Sequence, residues 1–141
     1  KLGTSFHFWK SARTLGELNA RAMALLESVD LGALADTITV ELPYGRKRAL
    51  EIATTLALDP ELMLLDEPTA GMAHEDVDRV TKLIRHVAQG RTVLMVEHNM
   101  SVVSGISDII TVLNRGAILA EGPYAEVAGN PQVIEAYMGA A

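Results

Sequence analysis

The feature that most constrains the fold is the stretch of residues 62–69, which reads Leu-Met-Leu-Leu-Asp-Glu-Pro-Thr. Four consecutive apolar residues are typical of a short strand that is buried on both faces, as in a parallel sheet. Pro60 lies before this strand and Pro68 follows it, and both favour its ends. We therefore expect the carboxylates of Asp66 and Glu67 at the carboxyl edge of a sheet, which is where open α/β folds bind ligands.

Two adjacent acids at the end of a strand have two interpretations. In an ordinary loop they stay solvated or cap a helix, because burying a carboxylate without partners is costly. Alternatively, they serve a nucleotide site, where one carboxylate lies near Mg²⁺ and the next orients or deprotonates a water molecule. The stretch by itself leaves both interpretations open.

The pattern that follows predicts a β-α-β unit. Apolar residues at helical spacing predict an amphipathic helix to about residue 89, and residues 92–97 predict a second apolar strand. Such a unit pairs its two strands in parallel, so both end at the same edge of the sheet. His98 is then expected beside Asp66 and Glu67. A lone histidine is usually a surface or structural residue, but in this position we interpret His98 as a site residue.

A turn with a glycine precedes the first strand. Residues 42–46 read Leu-Pro-Tyr-Gly-Arg, and a helix is expected from Gly45 to about Leu58. Three cations at residues 46–48 lie in its first turn, where the helix dipole is already positive. Free N–H groups and cations at a helix start suit an anion such as phosphate. The alternative is a solvated basic face that packs near acidic neighbours.

The remaining pattern predicts further helices and a β-hairpin. Thr14 and Glu17 match a capping box at the start of a helix over residues 15–29. Residues 109–113 and 117–121 predict the hairpin, with a turn at Asn114-Arg115-Gly116. Short helices are expected near residues 123–129 and 130–138. Three aromatic residues lie near the start of the chain: Phe6, Phe8 and Trp9. We expect a small packing patch there, and the alternative is a partner-binding surface.

Composition limits the classes of function. Apolar residues make up 49% of the chain and charged residues 21%, which is typical of a globular protein. The net charge of −6 argues against non-specific nucleic-acid binding, which needs a basic face. The absence of cysteine excludes disulfides and thiolate metal sites. No apolar run approaches the ~20 residues that span a bilayer. Because the chain starts at Lys1 and not at Met, we expect an internal piece or a processed product.

Taken together, the motifs resemble the C-terminal half of an ATP-binding cassette (ABC) ATPase, the motor domain of ABC transporters. Residues 42–46 match the family signature, usually L-S-G-G-Q, and residues 62–67 match the Walker B strand. Residues 70–73, Ala-Gly-Met-Ala, match the D-loop, and His98 matches the switch histidine. The resemblance covers about residues 14–138. The tyrosine in the signature, the D-loop and the terminal helix look most like the branched-chain amino acid transporter subfamily.

This resemblance implies a fold and a division of the chain. The implied fold class is α/β, a partial P-loop NTPase (ABC ATPase) fold with a mostly parallel sheet and flanking helices. The Walker A half of that fold is absent. Residues 1–58 would form part of the helical subdomain, with the signature turn and its helix. Residues 59–141 would form the C-terminal part of the ATPase core.

The resemblance also implies a mechanism in which two such domains sandwich two ATP molecules head to tail. Asp66 would help to hold Mg²⁺ through water, Glu67 would polarise the attacking water, and His98 would contact the γ-phosphate. The chemistry of such a transfer is mostly positioning and charge stabilisation. The signature turn would dock on the γ-phosphate of ATP held by the other domain, through Pro43, Tyr44, Gly45 and Arg46.

Cofactors, partners and location follow from the same resemblance. The implied cofactors are ATP and Mg²⁺, and the implied partners are a second ABC ATPase domain and transmembrane permease subunits, with no nucleic acid. The protein would lie at the cytoplasmic face of the membrane and couple ATP hydrolysis to transport of branched-chain or other amino acids. The alternatives are a catalytically inactive interaction fragment and an ABC ATPase that serves no transporter.

The sequence also departs from the family pattern. None of its eleven glycines has the G-x-x-x-x-G-K-[ST] spacing, so we expect no tight ATP binding or turnover by this chain alone. Pro43 replaces the signature serine, Arg46 replaces the glutamine, and Ala73 replaces the usual D-loop Asp or Asn. We expect Arg46 and its neighbouring cations to compensate for lost hydrogen bonds to phosphate. A half-domain leaves a sheet edge bare, so we also expect self-association.

Overall fold

A computed structural model describes residues 12–138, and these form two compact units. Within that range the first unit contains residues 12–63 and 90–92, and the second contains residues 64–89 and 93–138. The predicted aromatic patch at Phe6, Phe8 and Trp9 lies outside the described residues. In chain order the helices and strands are α1 (Ala12–Ser28), α2 (Tyr44–Leu56), β1 (Leu62–Asp66), α3 (His74–Val87), β2 (Thr92–Val96), α4 (Met100–Ile106), β3 (Ile110–Asn114), β4 (Ala117–Gly122), α5 (Tyr124–Ala128) and α6 (Pro131–Met138).

The first unit is built on the contact between α1 and α2. Two short 3-10 turns, Gly32–Leu34 and Thr39–Glu41, connect these helices. Thr14 lies inside α1, which begins at Ala12, so the capping box predicted there is wrong. The spacing of a hydroxyl and a carboxylate recurs by chance within helices, and only the backbone shows where a helix starts. The buried apolar side chains of this unit are Val29, Leu31, Leu42, Ala49, Ile52, Ala53 and Met63.

The second unit contains α3, the helix of the predicted β-α-β unit. α3 buries one apolar stripe, formed by Val77, Val80, Ile84 and Val87, as its spacing predicts. Acidic residues lie in its first turn and basic residues in its last turn, an arrangement that complements the helix dipole. The Arg85 guanidinium donates to the carbonyl oxygen of Gly105 and so ties the end of α3 to α4, which α3 also contacts.

The strands β1 and β2 pair in parallel, as predicted. In the first unit the Thr92 N–H donates to the Glu61 carbonyl oxygen at 2.9 Å. In the second unit the Glu67 N–H donates to the Val96 carbonyl oxygen at 2.8 Å. Residue numbers rise together along the two strands, so both strands end at the same edge. This edge carries the loop after β1 and the loop after β2.

The expectation that these strands are buried on both faces is wrong. Met63 is only 1% exposed, whereas its neighbour Leu64 is 69% exposed. In β2, Leu94 and Val96 are also exposed. Successive side chains of a strand point to opposite faces, and one face of this pair is left uncovered within the described residues. The apolar run therefore marks a strand that the described part of the chain buries on one side only.

The predicted hairpin is confirmed by antiparallel pairing of β3 with β4. Its two-residue turn consists of Arg115 (φ 49°) and Gly116 (φ 80°). Positive φ at both turn positions is characteristic of the type I′ turns that match the twist of the flanking strands. The register runs from Ile110 opposite Gly122 to Asn114 opposite Ala117, with an irregularity after Val112. α5 packs against both strands of this hairpin.

We find no helix among residues 12–138 with the length and apolar character that crossing a bilayer requires.

Candidate functional site

The loops that follow β1 and β2 bring together two of the residues that the sequence singles out. The Nδ1 atom of His98 lies 3.3 Å from Oε1 of Glu67. Both side chains are more than half exposed, so a ligand can reach them from solvent. The carboxylate and the imidazole thus lie side by side at the carboxyl edge of the parallel strands. Such a pair can hold a water molecule that donates to the carboxylate and accepts from the imidazole.

The backbone of Glu67 is strained. Its φ angle is 41°, in the left-handed region that non-glycine residues adopt at a cost of about 1–2 kcal/mol. Two hydrogen bonds hold this conformation: the Glu67 N–H donates to Val96, and the Glu67 carbonyl oxygen accepts from the Ala70 N–H at 3.1 Å. Positive φ also occurs at Asp30, Asp59 and the turn residue Arg115, so at Glu67 it supports a functional role only together with the contact to His98.

A second glutamate, Glu97, connects the two loops. Its Oε1 accepts from the N–H of Thr69 at 3.2 Å and also from the Thr69 hydroxyl. Its Oε2 accepts from the N–H groups of His98 at 2.9 Å and Asn99 at 3.0 Å. One oxygen of this carboxylate therefore serves the loop after β1, and the other serves the loop after β2.

These hydrogen bonds determine the ionisation of Glu97. Partial burial raises the pKa of the Glu97 carboxyl, because a charged group loses hydration. The hydrogen bonds from Thr69, Asn99 and His98 stabilise the carboxylate more strongly, so its pKa lies below the ordinary value of 4.5. Glu97 is accordingly a carboxylate at neutral pH, and an acceptor for four donors.

The part that Glu97 and Thr69 play is not visible in the sequence pattern, which predicts only that Glu97 ends the second strand. In the structure Thr69 is only 5% exposed, and its hydroxyl is bonded to Glu97. The sequence does carry one indirect signal for this role, because each of the two parallel strands is followed by a glutamate. Two carboxylates at one edge of a sheet repel each other, so each is expected to have a different set of partners.

Asp66, the last residue of β1, is exposed at the same edge and takes part in an interaction within the chain. A carboxylate at this place suits Mg²⁺, which prefers oxygen ligands and keeps several water molecules while bound by one or two carboxylates. In the described part of the chain, no group of three or more His, Asp or Glu side chains is arranged to hold a metal ion.

The signature-like turn lies in the first unit. Pro43 precedes α2, and its carbonyl oxygen accepts from the N–H groups of Arg46 and Lys47, both at 3.0 Å. Gly45 is buried and Tyr44 is 59% exposed. Proline at this position supplies neither a side-chain cap nor an N–H donor, so the helix start depends on its own backbone.

The cations at the start of α2 contact their own unit. The Arg46 guanidinium donates from Nη1 to the carbonyl oxygen of Asp30 at 2.6 Å and to its Oδ2 at 2.9 Å. The Lys47 ammonium donates to the carbonyl oxygen of Val40 at 3.0 Å. Arg46 thus has the acidic neighbour that the alternative interpretation expects, but its side chain is only 22% exposed and so is not part of a solvated face. Compensation for lost phosphate contacts stays a prediction.

Comparison with protein families matches two parts of the chain. Residues 4–70 match the family model described as ABC transporter. Residues 117–141 match the model described as branched-chain amino acid ATP-binding cassette transporter. Both matches agree with the family that the motifs resemble.

Individual proteins give the same result. The chain is 40% identical over 131 residues to the high-affinity branched-chain amino acid transport ATP-binding protein LivG of Salmonella typhimurium, covering 92% of this chain and 51% of LivG. It is 42% identical over 118 residues to the corresponding protein BraF of Pseudomonas aeruginosa, covering 82% of this chain and 46% of BraF. The chain thus spans about half the length of the curated relatives that it matches.

The fold agrees with these sequence matches. The structure of MJ1267, an ATP-binding cassette of an ABC transporter in its ADP conformation, superposes with a TM-score of 0.79 at 29% identity. The superposition covers 96% of this chain and 54% of MJ1267. The chain is therefore similar to ABC transporter ATP-binding proteins over about half of their length, and the matched family models and relatives include those of branched-chain amino acid transporters.

Proposed function

We propose that this chain is the Walker B, switch and signature half of an ATPase subunit that couples ATP hydrolysis to the transport of branched-chain amino acids. The observation that carries the proposal is the contact of 3.3 Å between Glu67 and His98 at the ends of two parallel strands. The similarity to LivG and BraF, whose names describe branched-chain amino acid transport, supports the choice of substrate.

In the proposed mechanism each residue acts at its observed place. The Glu67 carboxylate accepts a hydrogen bond from the attacking water and orients it for in-line attack. The His98 imidazole, on the neighbouring strand end, donates to a γ-phosphate oxygen and stabilises the charge that develops there. Asp66 would hold Mg²⁺ through water, and the ion would supply charge neutralisation at the phosphates.

Under this proposal the signature turn of this chain acts on ATP that is bound by a second domain. Exposed Tyr44 and the backbone at buried Gly45 form the surface that meets ATP held by the partner domain. Pro43 removes one N–H donor, so a larger share of the attraction must come from charge. Arg46 provides it only after exchanging its bond to the Asp30 carboxylate for one to phosphate.

The remaining partners follow from transport as the function. The proposed subunit pairs with a second ATP-binding domain and with transmembrane permease subunits, at the cytoplasmic face of the membrane. We assign residues 1–58, with α1 and α2, to the helical subdomain. We assign residues 59–141, with the Walker B and switch loops, to the ATPase core.

The test joins residues 1–141 to the N-terminal half of LivG from Salmonella typhimurium, which supplies the part of the cassette that this chain does not match. The purified fusion is expected to hydrolyse ATP, whereas the 141-residue chain alone is not. Glu67→Gln in the fusion is expected to lower turnover by about 10²–10⁴-fold, the usual contribution of a positioned base, and to leave ATP binding intact.

A matched control separates this effect from a general loss of charge. Glu135→Gln changes an exposed glutamate of α6 in the same unit, and turnover of that fusion should equal that of the unchanged fusion. Leucine uptake by cells that carry the fusion in place of LivG tests the substrate. Hydrolysis by the chain alone, or full turnover with Gln at position 67, would contradict the proposal.

A further inference from the structure

We infer that Glu97 is a positioning residue whose carboxylate clamps the loop after β1 to the loop after β2 and so sets the position of Glu67 against His98. The inference concerns a residue that the proposed mechanism does not use. It rests on the proposed function only for the work that it assigns to the Glu67–His98 pair.

The first argument is the division of labour between the two oxygens of Glu97. Oε1 accepts both donors that Thr69 offers, its N–H and its hydroxyl. Oε2 accepts the N–H groups of His98 and Asn99. A carboxylate has about four lone-pair sites, and these four donors occupy them. The bridge between the loops is therefore specific for a carboxylate, and a glutamine could serve only one loop fully.

The second argument is where the clamped residues lie. Thr69 is two residues after Glu67, and His98 directly follows Glu97. The clamp is thus a second tie beside the bond from the Glu67 N–H to the Val96 carbonyl oxygen. One tie is at Glu67 itself and the other is two residues later, and together they can hold the left-handed backbone of Glu67, at φ 41°, in place.

The third argument is the burial of the bridge. Thr69 is 5% exposed, so a Thr69 hydroxyl that loses Glu97 cannot easily donate to water instead. Hydrogen bonds to a charged acceptor contribute more to stability than bonds between neutral groups do. Leaving a buried donor without its partner lowers the stability of the fold. Asn99 extends the clamp, because its Oδ1 accepts from the Ser101 N–H at the start of α4. The carboxylate therefore also fixes where α4 begins.

The experiment measures amide hydrogen exchange in the 141-residue chain by NMR. The Thr69 and Asn99 amides bond Glu97 directly, whereas the Glu67 amide does not and reports whether the clamp holds the loop. In Glu97→Gln we expect the Glu67 amide to exchange at least tenfold faster. Amides of the α3 core, such as that of Ile84, serve as the reference for the rest of the unit.

Variants of Thr69 test the same tie from its other side. Thr69→Val removes the hydroxyl with little change of shape and should give the same acceleration at Glu67. Thr69→Ser keeps the hydroxyl, and Glu135→Gln removes a distant charge, so both should stay within twofold of the unchanged chain. If the Glu67 amide exchanges within twofold of the unchanged chain in both Glu97→Gln and Thr69→Val, the inference is overturned.

Turnover of the fusion with the LivG half then tests the positioning role. Glu97→Gln and Thr69→Val should each lower kcat at least tenfold with KM for ATP changed less than twofold, and the double variant should lose no more than either alone. Fast exchange at Glu67 with unchanged kcat would show that the clamp positions nothing that matters and would overturn the inference. A fusion without any turnover would refute the proposed function, while the exchange rates would still decide whether the clamp holds Glu67.

Discussion

Two adjacent residues of β1 should differ several-fold in what they contribute to stability, although the sequence presents both as members of one apolar run. The perturbations are Met63→Ala and Leu64→Ala. Met63 is 1% exposed, and truncating a buried methionine to alanine costs about 2–5 kcal/mol through lost burial and the cavity left behind. Leu64 is 69% exposed, so only about a third of its side chain is buried. A fully buried leucine contributes about 1.5–3 kcal/mol, which leaves about 0.5–1 kcal/mol for Leu64.

Urea unfolding followed by far-UV circular dichroism measures both losses. With an m-value of about 2 kcal/mol/M, the midpoint should fall by about 1–2.5 M for Met63→Ala and by less than about 0.5 M for Leu64→Ala. Leu94→Ala, at an exposed position of β2, is the matched control and should behave like Leu64→Ala.

Equal losses at positions 63 and 64 would refute the reasoning, because they would mean that both faces of the strand are covered. Protein concentration gives a further reading. If Leu64→Ala costs more at high concentration than at low concentration, a second copy covers this face, and the predicted self-association occurs there. If the cost is independent of concentration, the face stays open in the isolated chain.

Three further predictions concern the loops and the signature turn. The pKa of Glu97 is lowered in the folded chain, so as the pH falls through 4.5 the unfolded state takes up the proton first and stability falls until Glu97 is protonated in the folded chain too. Glu97→Gln should flatten this part of a plot of unfolding free energy against pH, and an unchanged slope would contradict the prediction. At position 67 φ is 41°, a left-handed conformation that asparagine adopts more readily than valine. Glu67→Asn should therefore keep the stability of the chain, whereas Glu67→Val should lower the free energy of unfolding by about 1–2 kcal/mol or more in the same urea assay. Equal stability of the two variants would argue against the left-handed backbone. Asp30→Asn removes the charged partner of Arg46 and should cost less than about 1 kcal/mol, because the Asp30 side chain is 84% exposed. In the fusion it should tighten ATP binding, because Arg46 then keeps only its bond to the backbone carbonyl of residue 30, and weaker binding would indicate that the ion pair itself shapes the turn.

Much of the second unit was predictable from local pattern. The helical spacing in α3, the two apolar runs and the Arg-Gly turn of the hairpin are short-range signals, and each appears in the structure where the sequence places it. The approach of His98 to Glu67 was also predictable, because two strands joined by a helix run parallel and end at the same edge. The capping box at Thr14 was not, since its two residues lie within a longer helix.

The amino-acid sequence by itself determined the order of the elements, the resemblance to ABC transporter ATPases and the edge at which Glu67 and His98 meet. These features depend on residue type and spacing along the chain, so a single sequence carries them. Only the tertiary structure decided which face of β1 is buried, that Arg46 bonds Asp30, and that Glu97 takes donors from both loops. Burial and hydrogen bonding depend on segments that are distant in sequence, and their approach becomes visible only when the chain is folded.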